Sequence, residues 1–94
     1  MPMPKYLKQM GLNFFISEYD YFAQKPNRTD AIAYLVSNNL CNESGASYRV
    51  SAAKRIFDSP PLLQETLEYI AYKSRKASIL EKQKAKTLLD NTQW

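Results

Sequence analysis

The side chains in this sequence that could do chemistry are cations and hydroxyls rather than nucleophile–base sets. Arg28 stands at the start of one candidate helix, and Tyr48, Arg49, Ser51, Lys54 and Arg55 cluster around the start of the next. Lys73, Arg75, Lys76, Lys82, Lys84 and Lys86 crowd the C-terminal part. Residues 1–72 hold seven basic and seven acidic residues. Residues 73–94 hold six basic residues against Glu81 and Asp90, so the whole net charge of +4 lies there. Guanidinium and ammonium groups neutralise phosphates and release condensed counterions. Arginine also pairs with guanine edges, while Ser and Tyr hydroxyls reach phosphate oxygens. On one continuous helix Arg75, Lys82 and Lys86 stand at i, i+7 and i+11, opposite the apolar face, as a phosphate-tracking stripe would require. A solvated face that keeps a small protein soluble produces the same pattern.

Other chemistry finds little support. The 94 residues include no histidine and one cysteine, so His-dependent triads and His/Cys metal sites are not expected. Cys41 has no histidine to activate it and reads as a small packed residue. Glu65 and Glu68, at i and i+3, could share a metal but read more simply as partners of a helix N-terminus. Glu18 and Asp20 flank Tyr19 and do not share a helical face. Asn42-Glu43-Ser44 matches a glycosylation pattern that has no meaning in a reducing compartment. No Gly-rich phosphate loop occurs, so the chain reads as a non-enzyme with no cofactor, no metal and no small-molecule substrate.

The elements that must position these groups are helical. Two glycines in the chain argue against a turn-rich β architecture. Residues 5–24 are aromatic-rich and interrupted at Gly11, with Asn13 as a candidate cap for a new helix. Phe15, Tyr19 and Phe22 share one helical face. Pro26 breaks the chain, and Asn27 or Thr29 caps a helix with Ala31, Ile32, Leu35, Val36 and Leu40 on its apolar side. Gly45 ends that helix in a left-handed conformation. Residues 48–50 are briefly extended, and Ser51 caps a short helix over residues 52–58 with Ala53, Ile56 and Phe57 inward. Ser59-Pro60-Pro61 starts a long basic C-terminal helix reaching Asp90, with Leu63, Leu67, Ile70, Ala77, Leu80, Ala85 and Leu88 inward. It exceeds the usual helix length, so it either projects or breaks near Ser74 and Ser78. Ile79 falls opposite the apolar face.

The expected fold is therefore all-α, one domain over residues 1–94, with four to five helices and a helix-turn-helix-like middle. The leading functional expectation is a small DNA-binding regulator of the phage or plasmid type. It would contact duplex DNA through the helix starting near Ser47 and Ser51 and through the basic C-terminal helix, and would pair with a second copy along that helix. The alternative is a protein-interaction module, such as a viral inhibitor of a host nucleoprotein complex (anti-CRISPR-like). It rests on a surplus of tyrosines, with Tyr69, Tyr72, Ile79 and Trp94 as interface residues, because tyrosine joins apolar area to a polar tip. No secretory signal or apolar span of about 20 residues is visible, and a cytoplasmic protein without membrane contact is expected.

Overall fold

The computed structural model describes residues 4–92. Trp94 lies outside them. The described residues form seven α-helices and a π-helical turn: α1 (Lys5–Met10), α2 (Leu12–Ser17), α3 (Tyr19–Ala23), α4 (Arg28–Ser37), α5 (Glu43–Phe57), α6 (Pro60–Glu68), the π turn (Tyr69–Lys73) and α7 (Ile79–Asn91). The described residues form no strand. No helix among them is long and apolar enough to cross a membrane. The helical class agrees with the sequence; the number of helices does not, because the aromatic stretch is cut into three short pieces.

Two cuts make those pieces. Gly11 takes φ 89° between α1 and α2, a conformation that only glycine adopts without strain. Glu18 leaves helical geometry at φ −104° and ψ 13° between α2 and α3. Asn13 does not cap. It sits inside α2, and its side-chain amide, oriented with nitrogen toward α7, donates to Glu81 Oε2 at 2.7 Å. Phe15, Tyr19 and Phe22 are all buried. Phe15 stacks on Phe57 with ring centroids 5.8 Å apart, and Tyr19 meets the same ring edge-on at 5.1 Å. Such geometries add to the stabilisation from burial.

The α4–α5 connection corrects the sequence reading most. Asn27 caps α4, accepting from Asp30 N at 2.8 Å and donating to Asp30 Oδ2 at 3.0 Å. The helix ends at Ser37, and Asn39, not Gly45, takes the left-handed conformation, with φ 57°. Asparagine tolerates that region better than most residues. Asn42 then caps α5, its Oδ1 accepting from Gly45 N at 2.7 Å. Gly45 is helical. A Cβ there would lie 3.1 Å from that capping oxygen, so the missing side chain makes room for the cap. Residues 48–50 are helical rather than extended, and Ser51 lies mid-helix rather than at a cap. Its hydroxyl donates to Ser47 O at 3.0 Å.

α5 is the hub. It packs against α1, α3, α4 and α6, and buries Ala46, Val50, Ala52, Ala53, Ile56 and Phe57. Its alanines let neighbouring backbones approach closely, while Phe57 fills the space toward α2 and α3. At about 25 cal/mol per Å² of apolar surface, side chains such as Ile56 and Phe57 contribute roughly 1.5–3 kcal/mol each.

The C-terminal half is broken at the serines. Ser59 stands at the N-cap of α6 and Pro60 occupies the first turn, where its missing N–H has no partner to lose. Glu65 and Glu68 lie beyond that first turn, so they are not dipole partners of the α6 N-terminus. Tyr69–Lys73 widens to a π turn, closed by Ser74 N donating to Tyr69 O at 2.8 Å. Ser74 is buried, and its hydroxyl accepts from Lys76 N and Ala77 N, both at 3.2 Å. These bonds offer the backbone an alternative to continuing the helix. Ser78 starts α7 with a capping box: its Oγ accepts from Glu81 N at 3.1 Å, and Glu81 Oε1 accepts from Ser78 N at 2.9 Å. One continuous helix is thereby excluded. Leu80, expected inward, is 77% exposed, because α7 starts a new angular phase at Ser78.

Candidate nucleic-acid interface

The cations expected to act together fall into three separate groups. The first surrounds an open groove of about 570 Å³ lined by Arg28, Ser51, Lys54, Arg55, Asp58 and Ser59. The Asn27 cap fixes the start of α4, which places Arg28 against the middle of α5. Its Nη1 donates to Ser51 Oγ at 2.7 Å and its Nη2 donates to Ser47 Oγ. At about 100° per residue, Ser47, Ser51, Lys54 and Asp58 form one strip along α5, with Arg55 at its edge. Arg28, Lys54, Arg55 and Asp58 are exposed. The guanidinium of Arg28 is thus oriented by two neutral hydroxyls, while Asp58 is the one carboxylate in the groove lining. Tyr48 is exposed on the flank of the same strip.

This arrangement differs from a helix-turn-helix reader. Such units insert the N-terminal part of the second helix into the major groove. Because α5 begins at Glu43, Lys54 and Arg55 belong to its last turn, and its first turn carries an acid, Glu43. The cationic end of the hairpin is where α4 begins and α5 ends. The early start of α5 was legible in Asn42, a strong capping type, but Gly45 three residues later masked it.

The second group lies on the other flank of α5. Arg49 points away from the strip, half-buried, with its guanidinium 4.8 Å from the Phe14 ring centroid and Nη1 donating to Cys41 Sγ at 3.2 Å. It shares a concavity with Lys76 and with Lys8, a residue the sequence reading did not single out. The third group belongs to the C-terminal part. Arg75 lies in the connection between the π turn and α7, so its alignment with Lys82 and Lys86 is lost. Lys82, Lys84 and Lys86 lie mid-helix, and the last turn of α7 carries no cation. Lys84 turns inward, its Nζ donating to Ile16 O at 2.8 Å. Lys86 stands 5.4 Å from the Tyr72 ring centroid. Lys73 is exposed at the end of the π turn.

The residues expected at a protein interface divide as well. Tyr72, Ile79 and Leu80 are 66, 75 and 77% exposed, whereas Tyr69 is half-buried against the core. Among the tyrosines near α4, Tyr34 OH donates to Glu18 Oε2 at 2.8 Å, and its ring stacks on Tyr21 with centroids 3.8 Å apart. That bond to a carboxylate raises the Tyr34 pKa, with burial adding to it. Burial is the main cause of the raised pKa of Tyr19. Among the described residues no group of three or more His, Cys, Asp or Glu side chains could hold a metal ion. Compared with protein-family models, curated proteins and solved structures, the chain matches none.

Proposed function

We propose that this protein is a small, non-enzymatic DNA-binding regulator, of the kind found in phages and plasmids, that grips the duplex through phosphates. The reading rests on one observation. Arg28, aimed by the Ser47 and Ser51 hydroxyls, shares an open groove with Lys54 and Arg55, three cations from two helices around one concavity. Guanidinium forks match phosphate oxygens, and contacts of this kind set affinity and register without reading sequence. Exposed Tyr48 extends the same face with a ring and a hydroxyl. The test is fluorescence anisotropy on random duplex DNA across a salt series. The expected result is binding whose logarithm falls linearly with the logarithm of salt, and a triple variant, Arg28→Ala, Lys54→Ala and Arg55→Ala, whose slope is shallower by about 2–3 units. Absence of wild-type binding at low salt, or an unchanged slope in the variant, overturns the reading.

A second reading is favoured by a different observation. Tyr72, Ile79 and Leu80, at the π turn and the start of α7, are large apolar side chains left mostly in solvent. Contiguous exposed apolar surface marks interaction sites, and residues of this kind are what such a surface would be built from. On this reading the protein is an interaction module, either pairing with a second copy through α7 or inhibiting a host nucleoprotein complex. Sedimentation of the wild type against Ile79→Asp with Leu80→Asp separates the first case. A wild-type dimer that the double variant converts to monomer supports pairing. A monomeric wild type removes it.

A further inference from the structure

The second cationic concavity lies across α5 from the Arg28 groove and depends on none of its residues. It is open, about 480 Å³, and its lining includes Lys8 from α1, Gly11, Asn13 and Phe14 at the start of α2, Arg49 from α5 and Lys76 from the connection before α7. The lining contains no Asp or Glu. Glu81, which Asn13 reaches, has its carboxylate engaged by that amide and by Ser78 N.

Arg49 is the informative member. It is half-buried, and among the described residues its guanidinium makes one hydrogen bond, to the Cys41 thiol. Sulfur is a weak acceptor, and guanidinium carries five N–H donors in a fixed fork. Phe14 holds the plane from one side at 4.8 Å. A cation drawn partly out of water without an oxygen acceptor leaves donor capacity unmet. Lys8 and Lys76, both exposed, add two ammonium groups from segments distant in sequence. Like charges brought around one concavity repel, and an anion between them reverses the sign of that interaction.

We propose that this concavity binds a phosphoryl dianion. A planar fork flanked by two mobile ammonium groups suits tetrahedral oxygens: arginine supplies two parallel donors and lysine supplies point charge. The cavity exceeds a phosphate ion in size, and Met10, Leu12 and Phe14 give it an apolar part. It therefore has room for the organic portion of a phosphate monoester. Two sources share this chemistry, a free mononucleotide and the 5′-phosphate end of a nucleic-acid strand.

The test is a titration of the ¹⁵N-labelled full chain with inorganic phosphate, followed by NMR, with sodium chloride of equal ionic strength as control. Saturating shifts are expected at Gly11, Asn13 and Lys76 and at the Arg49 side chain. Lys8→Gln with Lys76→Gln changes two exposed residues, leaves the fold intact and weakens binding by about tenfold or more. Arg49→Lys keeps the charge but loses the fork, and is expected to weaken binding comparably. Arg28→Ala with Lys54→Ala and Arg55→Ala leaves phosphate binding unchanged, so this site and the DNA groove stand or fall separately. Adenosine monophosphate against adenosine, and a 5′-phosphorylated against a 5′-hydroxyl oligonucleotide, then identify the source. A preference for the phosphorylated member in either pair supports the site. Equal binding within both pairs, identical shifts in chloride, or full affinity in the Lys8/Lys76 variant overturns it.

Discussion

α5 and α7 are the two longest helices, and they use charge in opposite ways. α5 is packed by four other helices, buries six residues and leaves one polar strip in solvent. α7 lies at the periphery and buries only Ala85, with Leu88 and Leu89 partly covered. In sequence each carries three cations: Arg49, Lys54 and Arg55 in α5 against Glu43, and Lys82, Lys84 and Lys86 in α7 against Glu81 and Asp90. In space the α7 cations disperse: Lys84 reaches a backbone carbonyl of α2, and Lys86 approaches Tyr72. The three cations of α5 instead converge with residues from other segments, Lys54 and Arg55 with Arg28, Arg49 with Lys8 and Lys76. A site depends on which charges the packing brings together, and a rigid, crowded helix aims its side chains better than a peripheral one.

The largest test of this contrast is stability. Phe57→Ala removes the ring shared by Phe15 and Tyr19 and is expected to lower the unfolding free energy by about 3–5 kcal/mol. Leu80→Ala, on the exposed side of α7, is expected to change it by less than about 0.5 kcal/mol. Urea unfolding followed by circular dichroism measures both. Comparable costs at the two positions would end the description of α5 as the hub. For DNA, the Arg28/Lys54/Arg55 alanine variant is expected to lose roughly 10–100-fold in affinity at low salt, through two or three lost phosphate contacts. A matched variant, Lys73→Ala with Arg75→Ala and Lys82→Ala, is expected to lose several-fold at most. The reverse order would move the interface to the C-terminal part.

The helical class was legible, and a break near Ser74 and Ser78 was one of the two outcomes the sequence left open, because both depend on local chemistry. Pro26, Ser59-Pro60 and the pair Ser74 and Ser78 act within one turn of themselves, and Asn27 caps as its type suggests. The start of α5 was marked by Asn42 but masked, because Gly45 reads as a terminator when only its backbone freedom is considered. Its actual constraint is the capping oxygen of Asn42, 3.1 Å from where a Cβ would stand. That single misreading shifts Lys54 and Arg55 from the first turn of a helix to the last. The Arg28 groove and the Lys8–Arg49–Lys76 concavity were not legible as groups, since each joins residues from helices far apart in sequence. Arg49 in particular carries no sequence mark that separates it from Lys54 or Arg55. Only the angular position on α5 sends it to the opposite flank.

The caps sharpen the contrast at smaller scale. Asn42→Ala and Ser78→Ala each remove one side-chain acceptor at a helix start, a change worth about 1 kcal/mol. For α5 the loss is expected to appear in global unfolding, since the helix cannot loosen without the core. For α7 it is expected mainly as faster amide exchange over residues 79–84, with a smaller change in global stability. Lys84→Met, which keeps the stem and removes the bond to Ile16 O, is expected to cost about 1 kcal/mol. Lys82→Met is expected to cost nothing measurable. If both lysines behave alike, Lys84 is a solvated charge like its neighbours.

The smallest effect concerns tyrosine ionisation and tests how the two sides of α5 are sealed. Tyr34 donates to Glu18 on the α4 side, and Tyr19 is buried between Phe15 and Phe57 beside Thr92, just beyond α7. Both phenols are raised above the ordinary value of 10.0, Tyr34 chiefly by its hydrogen bond to a carboxylate and Tyr19 chiefly by desolvation. A phenol whose pKa is raised by folding is neutral in the native state over a range where the unfolded chain has begun to lose the proton. Its contribution to stability is complete below the unfolded value near 10, and is lost as pH rises through the folded value. Unfolding free energy from these groups is therefore flat between pH 7 and pH 9 and declines above about pH 10. The informative quantity is the difference between wild type and Tyr34→Phe. That difference should shrink above about pH 10 while the tyrosinate absorbance of the variant develops with one late-titrating group fewer. A difference that stays constant through pH 11 would mean that the Tyr34–Glu18 bond carries no folding free energy, leaving the Tyr21–Tyr34 stack as the contact that ties α3 to α4.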